Sequence, residues 1–86
     1  MNESYEHWFR AGMQLYQDGD LAGALEAYEH ALALDPGNPS VLNNLGNVLT
    51  DRGDLDAALA MYERARSAGG DNSALLGNIG RTLFLL

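Results

Sequence analysis

The chain has 86 residues, a net charge of −7 and a pI near 4.4, which bounds it to one small domain whose core is marginal unless neighbouring units stack. Its hydrophobic fraction of 47% excludes a disordered chain, and the acidic balance argues against binding nucleic-acid phosphates or anionic membranes. There is no cysteine, no signal-peptide layout at the start and no apolar run long enough to span a bilayer. A soluble, cytoplasmic protein is expected.

Five helices are predicted and no strand pattern competes. The first covers about residues 4–17, with Trp8, Ala11, Gly12 and Leu15 on one apolar face. Asp18-Gly19-Asp20 breaks it, Gly19 by a left-handed conformation and Asp20 as the cap of the next helix. The second spans about 21–34, with Ala24, Leu25, Tyr28, Ala31 and Leu32 inside. Asp35-Pro36-Gly37-Asn38-Pro39 stops it, and Asn38 followed by Pro39 is the pairing of an N-cap and a first helical residue. The third, about 39–52, carries Leu42, Leu45, Gly46 and Leu49. Gly53-Asp54 repeats the earlier turn before a fourth helix at about 55–68. Gly69-Gly70-Asp71-Asn72 lacks a proline and is expected to be a looser joint. The fifth helix begins at about Ser73.

The chain matches itself at a spacing of 34 residues: Gly12, Gly19, Asp20, Leu21, Ala24, Leu25, Tyr28, Glu29, Ala31 and Asn38 recur as Gly46, Gly53, Asp54, Leu55, Ala58, Leu59, Tyr62, Glu63, Ala65 and Asn72. A period of this length marks a helical-hairpin repeat, whose units bury their apolar faces only by stacking. Asn44, Gly46 and Leu49 return once more as Asn78, Gly80 and Leu83. The single domain 1–86 therefore divides into repeat one (5–38), repeat two (39–72) and a half repeat (73–86). Glycine in mid-helix costs roughly 1 kcal/mol against alanine, so Gly12, Gly46 and Gly80 imply a close helix approach, with Ala24 and Ala58 opposite. No close contact is inferred at Gly23.

Trp8, Ala11, Gly12, Leu15, Gly19, Asp20, Ala24, Tyr28, Ala31 and Pro36 in the first copy, and Leu42, Leu45, Gly46, Leu49, Ala58, Tyr62 and Ala65 in the second, together resemble the tetratricopeptide repeat pattern over about residues 5–86. Gly70 departs from it where the family usually has proline. The resemblance implies an all-α fold of antiparallel helix pairs in a right-handed superhelix, two full repeats plus one unpaired helix. It also implies a concave groove that takes peptides or protein segments, without catalytic chemistry.

The residues left projecting toward that groove include Phe9, Arg10, Met13, Asn43, Asn44, Asn47, Asn78 and Arg81, the candidate peptide-binding set. Asparagine is a modest helix former, and its amide matches the donors and acceptors of an extended main chain. Asn44 and Asn78 are equivalent under the repeat and resemble the asparagine ladder of some superhelical relatives; Arg10 breaks the ladder in the first copy. The carboxylate clamp of the chaperone-binding members is matched only at Asn44. Phe9, Met13 and Tyr16 suggest an apolar end to the groove.

His7 and His30 have no further ligand at metal-binding spacing, and the acidic residues fit caps and a solvated face better than acid–base catalysis. No enzyme activity, metal, cofactor or nucleic-acid partner is expected. The reading is a protein-interaction scaffold; the alternative is a self-assembling module. Leu76, Ile79, Leu83, Phe84, Leu85 and Leu86 lack the helix that covers Leu15 and Leu49 in the earlier copies, so they form a candidate oligomer interface, or are covered by continuation of the array within a longer chain.

Overall fold

The computed structural model describes residues 4–70 and 72–86; Met1–Glu3 and Asp71, part of the predicted fourth connection, lie outside them. Five helices follow in order: α1 (Tyr5–Gln17), α2 (Leu21–Leu34), α3 (Pro39–Arg52), α4 (Leu55–Ser67) and α5 (Ser73–Leu85). No strand occurs among the described residues. The predicted limits hold to within a residue, because local capping chemistry sets them. Asp20 accepts the Gly23 N–H at 2.9 Å, Asn38 accepts from Ser40 and Val41 at 2.9 and 3.1 Å, and Asn72 accepts from Leu75 at 2.9 Å. Asp54, the repeat partner of Asp20, makes no such cap bond and instead lies 3.6 Å from Arg52.

Three of the four connections close in one way. Gly19, Gly53 and Gly69 have φ of 84°, 90° and 93°, and the residue after each donates back five positions, to Leu15, Leu49 and Ala65. That six-to-one bond satisfies a helix-end carbonyl and needs glycine at the left-handed position. The joint at 69–70 is therefore built like the other two rather than more loosely. Gly70 has a packing reason as well: a Cβ there would lie 2.7 Å from Pro39 Cβ and 2.9 Å from the Ala65 carbonyl oxygen.

The helices form a linear array of 42 × 28 × 18 Å. Helix α1 packs on α2, α2 on α3, α3 on α4 and α4 on α5, while α1 and α5 each touch α3. The core is Ala24, Tyr28, Ala31, Val41, Leu42, Leu45, Val48, Leu49, Ala58, Tyr62, Ala65 and Leu75, with Trp8, Phe9, Leu15, Leu25, Leu59 and Ile79 half-buried against it.

The mid-helix glycines make room for a ring, not for the predicted alanines. A Cβ at Gly12 would sit 2.6 Å from Tyr28 Cε1, and one at Gly46 would sit 2.7 Å from Tyr62 Cδ1. Tyr28 and Tyr62 lie one turn beyond Ala24 and Ala58, so the flat phenol, rather than the small side chain, reaches the facing helix. At Gly80 a Cβ would meet nothing within 4 Å. Gly23 is crowded, contrary to the sequence expectation: a Cβ there would lie 2.5 Å from Asp20 Oδ2, because the Asp20 cap folds over it.

Candidate functional site

Helices α1, α3 and α5 lie side by side and present one face of the array. Near its middle, α1, α2 and α3 enclose a cleft of about 120 Å³ lined by Met13, Tyr16, Gln17, Tyr28, Asn44 and Asn47. Tyr28 reaches it from α2 because its ring passes over Gly12, and its hydroxyl receives the Asn44 Nδ2 donor at a long 3.5 Å. Burial pushes the Tyr28 phenol pKa up, with the Asn44 contact opposing it. The walls are therefore a methionine and two rings, rimmed by three side-chain amides. A larger hollow of about 420 Å³, lined by Pro36, Gly37, Leu42, Glu63, Arg64, Ser67 and Ala68, is shallow and lies away from this face.

Beside the cleft runs a polar row across three helices. Tyr16 Oη donates to Asp51 Oδ2 at 2.5 Å, and Arg81 Nη2 reaches Asp51 Oδ1 at 3.4 Å. Burial, followed by the bond to Asp51, pushes the Tyr16 phenol up to about 12. Deeper in, Tyr62 Oη donates to Asn47 Oδ1 at 2.7 Å and lies 3.3 Å from Thr50 Oγ1. Thr50 and Thr82 touch hydroxyl to hydroxyl at 2.9 Å and also bond the carbonyls of Gly46 and Asn78. No buried side-chain nitrogen or oxygen among the described residues lacks a partner.

The structure brings Met13, Asn44 and Asn47 of the predicted set into one cleft. Asn78 donates instead to Asn43 Oδ1 at 3.0 Å, so those two amides serve each other across α3 and α5. Asn44 and Asn78 are both half-buried rather than exposed. Phe9 leans on Tyr28 with ring centroids 5.9 Å apart and is half-buried, whereas Arg10 is exposed. Tyr28, expected from the sequence only in packing, also lines the cleft; the signal in the sequence is its hydroxyl, which a buried tyrosine must place against a polar partner. Thr50 and Thr82 gave no such signal, since their repeat equivalents are Tyr16 and Val48.

Trp8 stacks on His30 with centroids 4.3 Å apart, and His7 meets its edge at 5.2 Å. No group of three or more His, Asp or Glu residues able to hold a metal ion occurs among the described residues. No described helix is long and apolar enough to cross a membrane.

A family model described as Tetratricopeptide repeat matches residues 15–84, most of the chain. The chain belongs to the tetratricopeptide repeat family. The match starts at Leu15, after Trp8 and Gly12, yet the seat of Tyr28 on Gly12 shows that the first helix of this tetratricopeptide domain is built like the third. No curated protein matches the sequence. Tetratricopeptide repeats generally mediate protein–protein interaction and typically serve as non-enzymatic scaffolds.

Proposed function

We propose that this domain holds a peptide or a partner-protein segment on the face formed by α1, α3 and α5, anchored at the cleft of Met13, Tyr16, Gln17, Tyr28, Asn44 and Asn47. The observation that carries the reading is Asn44. The one hydrogen bond of its side chain among the described residues is the 3.5 Å contact to Tyr28, beyond ordinary hydrogen-bond length, so its amide keeps capacity for a ligand. An apolar ligand side chain enters between Met13 and Tyr28 while its backbone bonds Asn44 and Gln17. Asn43, Asn78 and Arg81 continue the face toward α5, and Phe9 and Arg10 flank it on α1.

Selection of binders from a random peptide library, followed by titration against variants, tests this. Met13→Glu and Asn44→Ala are each expected to weaken the selected peptides about tenfold, the effect of one lost apolar anchor or hydrogen bond. Asn78→Ala is expected to change affinity less, because its donor already serves Asn43. Binders indifferent to both Met13→Glu and Asn44→Ala would place the ligand elsewhere.

A further inference from the structure

The repeat supplies an internal control for α5. On α3, Leu42, Gly46 and Leu49 form the seat of α4, and the two leucines are 1% and 9% exposed. Their equivalents on α5, Leu76 and Leu83, are 50% and 54% exposed, and nothing lies within 4 Å of a Cβ on Gly80. Helical spacing places Leu76, Gly77, Gly80, Leu83 and Phe84 on the side of α5 opposite the buried Leu75 and Thr82. Ile79, grouped by sequence with the exposed residues, instead packs half-buried on the core. One face of α5 therefore has the shape of a helix seat that no described residue fills.

The seats on α1 and α3 each hold an aromatic ring over a glycine. Helix α5 carries such a ring itself: Phe84 is 88% exposed and lies one turn beyond Gly80 on the same stripe. Glycine seat and ring on one helix make that face complementary to itself, the condition for a two-fold interface. Charge agrees with this. In a chain of net charge −7, α5 is the one described helix without an acidic residue, and its sole cation, Arg81, is paired with Asp51. Two copies can thus meet at α5 without burying like charges.

We propose that the Leu76–Gly80–Phe84 face of α5 binds the same face of a second copy, antiparallel, with Phe84 of each resting on the glycines of the other. Exchange of α5 about Gly69 and Gly70 does not replace this contact. A swapped α5 would bury Leu75 and Thr82 in the partner and still leave Leu76, Gly80 and Leu83 in water.

Sedimentation of the 86-residue chain across a wide concentration range reads the outcome. The mass is expected to rise from 9.3 kDa toward twice that value. Phe84→Glu removes the ring and Gly80→Leu fills the seat; each is expected to raise the dissociation midpoint about tenfold or more, as loss of a central contact does. Helix content by circular dichroism should stay unchanged in both, because neither position is packed within one copy. A clean monomer at tens of micromolar overturns the proposal, as does a dimer that survives both variants. Association that Gly80→Leu strengthens also overturns it, since the ring would not then rest on the glycine. A chain that stays monomeric but takes up a synthetic peptide of the α4 sequence shows that the seat belongs to a tyrosine-bearing helix instead.

Discussion

Tyr16 and Asp51, 35 residues apart, are joined by a hydrogen bond of 2.5 Å from phenol to carboxylate. Asp51 also receives Arg81, so a single carboxylate on α3 ties α1 to α5 along the face these helices form. Three successive units are thereby tied through one shared carboxylate, beside the Asn43–Asn78 and Thr50–Thr82 contacts that join α3 to α5.

That bond has an alkaline signature. The Tyr16 phenol stands at about 12 against an ordinary 10.0, raised first by burial and then by Asp51. Above pH 10 an unfolded chain releases this proton while the folded one retains it. The contribution to stability is therefore complete below 10 and is lost as pH rises to about 12. Thermal melts through this range are expected to fall less steeply for Tyr16→Phe than for the native chain. Tyrosinate absorbance should show a late-titrating phenol that is lost in Tyr16→Phe, beside the Tyr28 phenol that burial also raises.

Gly46 and Gly80, equivalent under the repeat, are expected to respond differently to one substitution. Gly46→Ala drives a Cβ into the Tyr62 ring and should destabilise by about 1–3 kcal/mol. Within one copy Gly80→Ala meets open space, so at concentrations low enough to keep the chain monomeric it should stabilise α5 by up to roughly 1 kcal/mol. Chemical denaturation of the two variants checks this; equal responses would mean that Tyr62 is not seated on Gly46.

Thr50 and Thr82 share a buried contact between α3 and α5. Thr50→Val removes the hydroxyl that meets Gly46, Tyr62 and Thr82, at an expected cost of about 1–3 kcal/mol. Thr82→Val should cost less, having fewer partners. The double variant should cost less than the two together, since it strands no hydroxyl of the pair; a double-mutant cycle measures the difference.

The two turn aspartates, identical in sequence, are expected to differ. Asp20→Ala loses a formed cap and should cost about 1 kcal/mol. Asp54→Ala loses only an exposed ion pair with Arg52, about 0.5 kcal/mol or less. Gly23→Ala should bring no gain despite its helical position, because the new methyl displaces the Asp20 cap. Melting temperatures order the three.

The sequence by itself determined the helices, their ends and the repeat. These depend on local chemistry: left-handed glycines at 19 and 53, an Asn38-Pro39 start, and apolar spacing that recurs every 34 residues. The free face of α5 was legible for the same reason, since comparing Leu83 with Leu49 requires only the register. What the tertiary structure decided was the partner of each side chain. Asn43, Asn44 and Asn47 are one residue type on one helix, yet one serves Asn78, one approaches Tyr28 and one accepts from Tyr62. Nothing local distinguishes them, because each partner lies on another helix at a distance and angle set by packing. The same holds for the glycines, whose neighbours proved to be rings rather than alanines, and for Ile79, turned inward by the rotation of α5 on the core. Periodicity specifies which face of a helix is apolar; the depth and angle at which helices pack decide what each residue on it touches.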